Sequence, residues 1–231
     1  MQTEVIIVAA GSGSRMGSQI KKQYLPLDGA PILVRTLQAL SACPSIDRMI
    51  LVVSADDREY VQTLIADHGV EKVGAIVEGG QERQDSVRHG LDALLATTEL
   101  VAVHDAARPL VTTDEVEAVL EAARVRGAAT LGVAVKDTIK RVEQQLVSET
   151  LPRNQLFAVH TPQAFHRSIL EAAHARSVLA GGLGTDDASL VEWAGYPVLL
   201  IEGNYTNIKI TTPDDLIIAE ALWKLKGEHV R

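Results

Sequence analysis

Cysteine is nearly missing from this 231-residue chain, with Cys43 the only one. An internal disulfide and a cysteine-rich zinc site are therefore both excluded. The usage suits a reducing compartment, so the cytoplasm is the expected location. Aromatic residues are scarce too: two Phe, two Trp and four Tyr. That removes the usual stacking platforms for single-stranded nucleic acid. Positive charge is in deficit, because 22 Lys and Arg against 30 Asp and Glu leave a formal net charge of −8. A nucleic acid or an anionic membrane rewards the opposite balance, so neither is an expected partner. Long apolar runs are absent near the N-terminus, where Val5 to Ala10 is too short for a bilayer span. Glu4 also stands where a secretory signal would carry basic residues.

What is present is a repeating rhythm. Apolar residues make up 46% of the chain, enough to build a core. Short apolar runs predict strands at Val5–Ala9, Met49–Ser54, Val73–Val77, Leu100–His104, Thr130–Val135 and Pro197–Ile201. Between them, helices are predicted near Pro31–Leu40, Asp56–Asp67, Asp85–Leu95, Thr113–Arg126 and Pro213–Leu225. Pro31 suits a first turn, and Gly69 and Gly127 stand just past two helix ends. Strands apolar on both faces, alternating with helices, give an α/β protein with a mostly parallel sheet. One stretch breaks the rhythm. Around 136–152, Thr138, Ile139, Val142, Leu146 and Val147 flank a polar turn near Glu143–Gln145, which predicts a projecting β-hairpin. It reads equally as a surface hairpin or as a dimerisation arm, since a lone two-stranded hairpin needs something to pack on.

Three loops carry candidate chemistry. After the first strand comes Ala9-Ala10-Gly11-Ser12-Gly13-Ser14-Arg15-Met16-Gly17. Its third glycine falls one residue late for a dinucleotide fingerprint, and no GxxxxGK[ST] occurs. A glycine loop after a parallel strand still brings backbone N–H groups to an anion. Arg15 within it, and Lys21 and Lys22 just after, offer a fork and point charges for phosphate oxygens. Otherwise the segment is a tight turn with solvated charges. After the third strand, Glu78-Gly79-Gly80 leads into a helix opening with Asp85 and Ser86. Its free N–H groups and hydroxyl could read a base edge, or simply cap the helix. After the fourth strand, His104-Asp105-Ala106-Ala107-Arg108-Pro109 places a carboxylate at a strand end. Asp105 there suits Mg²⁺, which takes one or two carboxylates plus phosphate oxygens, or it pairs locally with Arg108. His104 reads as structural, because nothing nearby completes a triad.

The ordered set AAGxGxRM…KQY, GGxxRxDSV, HDAARP, TPQ, TDxAS and NIK runs from Ala9 to Lys209. It resembles the bacterial 2-C-methyl-D-erythritol 4-phosphate cytidylyltransferases of non-mevalonate isoprenoid synthesis. The resemblance implies one Rossmann-like nucleotidyltransferase domain over 1–231, with the hairpin at 136–152 as an interlocking arm of a homodimer. It also implies CTP and methylerythritol phosphate as substrates and Mg²⁺ as cofactor. By position, Arg15 and Lys22 stabilise the transition state, and Arg153 and Lys209 hold the substrate phosphate for attack. Ala9, Ala10, Gly11 and Gly13 form the triphosphate loop, while Gly80, Asp85 and Ser86 fall in the cytosine and ribose region. Asp105 is the metal carboxylate. Ala106, Arg108, Thr138, Arg153, Thr161, Thr185 and Lys209 contact the methylerythritol phosphate, Thr138 and Arg153 from the arm and its flank. Some family members carry a second metal carboxylate where this chain has Thr206.

Three other readings bound this one. A ribitol 5-phosphate cytidylyltransferase shares the loops and the reaction type. A non-catalytic nucleotide-binding regulator is opposed by the intact Arg15, Lys22 and Asp105. A Rossmann dehydrogenase is opposed by the late glycine and by a second strand ending Val52-Val53-Ser54 with no acid.

Overall fold

The computed structural model describes residues 1–11 and 20–228. In chain order the elements are β1 (Gln2–Val8), β2 (Pro26–Leu27), β3 (Ala30–Pro31), α1 (Ile32–Ser41), β4 (Arg48–Val53) and α2 (Arg58–Asp67). Then follow β5 (Val73–Glu78), α3 (Arg83–Asp92), β6 (Thr98–Asp105), α4 (Thr113–Arg126), β7 (Ala128–Ala134), β8 (Lys140–Glu143) and β9 (Leu146–Thr150). The chain closes with β10 (Phe157–His166), α5 (Arg167–Ala180), α6 (Asp187–Trp193), β11 (Leu199–Glu202) and α7 (Pro213–Glu228).

Seven strands form the main sheet in the order β11-β7-β10-β6-β1-β4-β5. Every pairing is parallel except those of β10, which runs antiparallel to β6 and β7. Alternate residues of the buried strands feed two cores. Val5, Ile7 and Leu51 pack on one face with Leu33, Leu37 and Leu120, and Ile6, Ile50 and Val103 pack on the other with Val87 and Phe165. This is the two-sided burial expected of strands covered by helices on both faces. Among the described residues no helix is long and apolar enough to cross a membrane.

Local chemistry sets the helix ends. Thr112 and Glu115 form a reciprocal capping box at the start of α4, and Gly127 ends it at φ 89°, a left-handed conformation that glycine adopts without steric cost. All six predicted strands and all five predicted helices are present, with ends shifted by a few residues. The sequence pattern did not predict β2, β3, β10, α5 or α6. β10 escaped because its buried half carries Thr161 and Gln163, whose polar groups are satisfied only by partners distant in sequence.

The hairpin of β8 and β9 forms its own two-stranded sheet. Gln144 and Gln145 turn it with φ of 48° and 68°, the positive values of a type I′ turn. All nine of its strand residues are exposed, Val142, Leu146 and Val147 among them.

Candidate active site

The chain order creates the cleft. It runs outward from β1 to β4 and β5, then returns to place β6 on the other side of β1. Ligands of open α/β sheets bind at such a reversal, beyond the carboxyl ends of the strands. Here Val8 of β1 lies opposite Asp105 of β6, and Ala106 N–H donates to the Val8 carbonyl (3.2 Å). Ala9 N–H donates to Val52 and Gly79 N–H to Val53, so three loops leave the sheet side by side. A Cβ on Gly79 would lie 2.3 Å from Cβ of Ala10, so only glycine allows this approach.

The loops enclose a cavity of about 210 Å³. Its walls include Ala9, Ala10, Gly11 and Lys22 from the first loop, Gly80 and Ser86 from the second, Asp105 and Ala106 from the third, and Lys209 from the C-terminal segment. Each was singled out in the sequence. Arg15 and Gly13 lie outside the described residues. The Ser86 hydroxyl accepts from Gly80 N–H (3.1 Å), and Asp85 accepts from Glu82 N–H and pairs with Arg88.

Asp105 is the electrostatic centre. Lys209 Nζ lies 2.7 Å from its Oδ2, Arg108 Nε 3.7 Å from the same oxygen, and Arg83 Nε 3.7 Å from Oδ1. Burial pulls this carboxyl upward, but Lys209, Arg83 and Arg108 together outweigh it and hold it well below the usual carboxylate range. Burial also pushes His104 down to about 4, and its Nε2 lies 3.2 Å from the Arg108 carbonyl, so the ring is a neutral structural donor.

The remaining candidates are not in the cavity wall: Thr161 and Arg108 contact Asp105, whereas Thr185, Thr138 and Arg153 are not brought to it in this subunit. Thr161 is buried, and its Oγ1 accepts from Asp105 N–H (3.0 Å). Arg108 is buried and donates to the Asn207 carbonyl (2.7 Å). Thr185 is exposed, one residue before Asp186, whose side chain caps α6. Thr138 and Arg153 are exposed at the base of the hairpin, Arg153 donating to the Lys136 carbonyl (2.7 Å). Thr206 lines a separate cavity of about 280 Å³ with Leu110 and Leu222, away from Asp105.

Sequence reasoning missed four residues. Arg83 lines the cavity and bridges Asp105 to the fully buried Asp187, 2.7 Å from its Nη1. Arg83 opens α3 two residues before the predicted start at Asp85, so its place in the first turn, where a cation opposes the macrodipole, emerged only from the fold. Gln163 carries the α6 end of this network, its Oε1 accepting from the N–H groups of Asp187 and Ala188. Gln23 is buried and donates to the carbonyls of Ala9 (2.8 Å) and Gly11 (3.4 Å), holding the base of the first loop. Asn207 is buried and ties β10 to the loop after β6, its Nδ2 donating to the Thr161 carbonyl (3.0 Å) while its own carbonyl receives Arg108. Gln23, Gln163 and Asn207 stood in the quoted KQY, TPQ and NIK motifs, but nothing in their spacing gave them a role.

The chain also has relatives. The family model of 2-C-methyl-D-erythritol 4-phosphate cytidylyltransferase matches residues 3–224. A protein of that name from Geobacillus kaustophilus is 47% identical over 96% of this chain and 97% of its own length. Another, from Bacillus velezensis, is 46% identical over 99% of both. Among solved structures, 4-diphosphocytidyl-2C-methyl-D-erythritol synthase from Anaerococcus prevotii superposes with a TM-score of 0.85 at 30% identity, covering 96% of this chain and 98% of that one. The 2-C-methyl-D-erythritol 4-phosphate cytidylyltransferase of Thermus thermophilus gives 0.77 at 37% identity with the same coverage. The ordered loops, the cleft they build and this likeness over almost the whole length place the chain in the 2-C-methyl-D-erythritol 4-phosphate cytidylyltransferase family.

Proposed function

We propose that the chain transfers CMP from CTP to 2-C-methyl-D-erythritol 4-phosphate, releasing pyrophosphate. The observation that carries this reading is the convergence of Ala9, Ala10, Gly11, Lys22, Ser86, Asp105 and Lys209 on one cleft at the reversal of strand order. In it the N–H groups of the loop, Gly13 included, take the triphosphate. Arg15 and Lys22 meet the charge that builds up on the leaving pyrophosphate. Gly80, Asp85 and Ser86 border the cytosine and ribose. Lys209, with Arg153, holds the incoming phosphate for attack, and Ala106, Arg108, Thr161 and Thr185 complete the methylerythritol phosphate contacts.

The nucleophile is a phosphate monoester oxygen, already ionised at neutral pH because its second pKa is about 6. No general base is needed, in keeping with a neutral, buried His104 and a strongly paired Asp105. What the protein must supply is orientation for in-line displacement and relief of repulsion between two polyanions. Cations at fixed positions do both.

Mg²⁺ arriving with the triphosphate would compete with Lys209, Arg83 and Arg108 for the Asp105 carboxylate. Among the described residues no three His, Cys, Asp or Glu side chains gather into a cage. One carboxylate plus phosphate oxygens and water is a common Mg²⁺ environment. Asp105 would hold the ion, which when bound neutralises charge on the phosphate oxygens. Thr206, where some relatives carry a second carboxylate, lines the other cavity and offers at most a hydroxyl.

The hairpin supports a homodimer. Val142, Leu146 and Val147 on it, and Phe157 and Val159 beside its base, expose apolar surface that a second copy would cover. Thr138 and Arg153 then complete the partner's site. The buried thiol of Cys43, pushed up to about 12 by burial and by its hydrogen bond to Glu117, suits a cytoplasmic protein.

The test is pyrophosphate release with each of the common nucleoside triphosphates against each polyol phosphate. Turnover confined to CTP with methylerythritol phosphate is expected. Preferential turnover of ribitol 5-phosphate would transfer the assignment to that substrate, and silence with every pair would leave a binding protein. Sedimentation equilibrium checks the dimer.

A further inference from the structure

Two lysines follow the glycine loop, and the structure gives them different work. Residues Lys22–Tyr24 form one 3₁₀ turn with Lys21 as its N-cap. At three residues per turn, side chains three apart eclipse. Lys21 and Tyr24 therefore share a side, and both end on one carboxylate. Lys21 Nζ lies 2.7 Å from Asp57 Oδ2, and the Tyr24 hydroxyl donates to the same oxygen at 2.8 Å. Lys21 also donates to Ser54 Oγ (2.7 Å). The two intervening residues take the other sides: Lys22 lines the cavity, and Gln23 turns inward to Ala9 and Gly11.

Asp57 occupies the N-cap position of α2, yet its side chain makes no cap bond. Its backbone is already helical (φ −95°, ψ −6°), because a 3₁₀ turn over Ala55–Asp57 runs straight into α2, so the carboxylate is not engaged in capping and turns to Lys21 and Tyr24. Tyr24 is braced again by Tyr60 of α2, the rings meeting edge to face with centroids 5.0 Å apart. Burial draws the Asp57 carboxyl upward, but hydrogen bonds from Lys21, Ser54 and Tyr24 hold it below its ordinary value, so it stays charged.

From this geometry we infer that Asp57 is a positioning residue for nucleotide binding. It clamps the 3₁₀ turn through Lys21 and Tyr24, and so aims Lys22 at the triphosphate and seats Gln23 under the glycine loop. Lys21 is a tether here and not a phosphate ligand. The inference rests on the triphosphate reading of the cleft and adds to it a residue on the far side of the turn, outside the cavity wall.

Calorimetric titration with CTP and, separately, with inorganic triphosphate tests it, using the intact protein and Asp57→Ala, Lys21→Met and Tyr24→Phe variants. Loss of the two charge-assisted bonds in Asp57→Ala is expected to weaken both ligands about tenfold, and each single-tether variant about threefold. Adding Lys21→Met to Asp57→Ala should change nothing further, because both act through one carboxylate. In turnover, the KM for CTP should rise while that for the polyol phosphate stays within about twofold, a split that general loosening of the fold would not produce. Unchanged triphosphate affinity in Asp57→Ala, or equal weakening of both substrates, would overturn the inference. Wild-type protein that binds inorganic triphosphate but not CTP would instead overturn the nucleotide reading, and the tether would still be judged on triphosphate.

Discussion

The floor of the cleft and the hairpin of β8 and β9 are opposites. At the floor, Asp105 is held by Lys209, Arg83 and Arg108, its backbone N–H is held by Thr161, and Asn207 ties β10 to the loop after β6. The partners come from four separate stretches of chain, and most of the groups are buried. The hairpin is local, paired only with itself in the main-chain ladder, and exposed at every strand position. The difference separates two ways of making a functional element. The floor is rigid because charged groups removed from water must all be partnered at once. The hairpin carries apolar side chains that find no cover on their own subunit, so its order depends on what it meets.

The greatest change should come from the cations assigned to the triphosphate. Lys22→Ala and Arg15→Ala should each lower kcat by about 10²–10³-fold, the usual scale for losing one preorganised charge contact in the transition state. Their Tm should stay within about 2 °C of the parent, as for substitutions outside a packed core. A matching collapse in Tm, read by calorimetry, would show that these cations and the floor cannot be separated.

Asp105→Asn attacks the floor itself. It leaves the buried Arg108 without its carboxylate partner. Removing one member of such a set should cost about 3–5 kcal/mol, or roughly 6–20 °C in Tm. An unchanged Tm would mean that the floor is held by packing and backbone hydrogen bonds alone.

Acid should loosen the floor before it affects the hairpin. Burial holds His104 near about 4 in the folded chain, against about 6.5 for a free histidine. The unfolded chain therefore takes up the proton first. This contribution to stability is complete above about pH 6.5 and fades as the pH falls toward 4, by at most about 1.4 kcal/mol per pH unit for one proton. Tm measured across that window should decline. His104→Gln should flatten part of the decline, the half-buried His160 supplying the rest through its own depression to about 4. Equal slopes in the two proteins would remove His104 from the account.

For the isolated subunit, the hairpin should matter least. Leu146→Ser with Val147→Ser should shift the Tm of dilute protein by no more than about 2 °C, because both side chains are exposed. The same pair should shift a dimer toward monomer in sedimentation. A large Tm loss without dissociation would make the hairpin part of the subunit's own core.

How much was legible differs along the chain. The predicted strands and helices followed from apolar runs and end signals, and α4 emerged with the predicted bounds Thr113–Arg126 because both its caps are local. β10 did not, because a strand whose buried half carries Thr161 and Gln163 has no apolar pattern to read. Asp105 and Lys209 could be named from their motifs, but not the 2.7 Å contact between them. Arg83 stood inside a quoted motif and still went unassigned, because its partners Asp105 and Asp187 lie on other elements.

Chain order alone was enough to specify the alternation of strand and helix, the three loops at strand ends and the residue types that suit phosphate chemistry. These are properties of neighbours in the chain, set by side-chain periodicity and backbone freedom. Folding in three dimensions was needed to settle which cations gather on Asp105, that Thr206 faces a different cavity, and that of two adjacent lysines one lines the cleft while the other is tied to Asp57. The reason is physical: the direction of a charged side chain is fixed by its partner, and apart from the local pair of Asp105 with Arg108 the partners lie dozens of residues away.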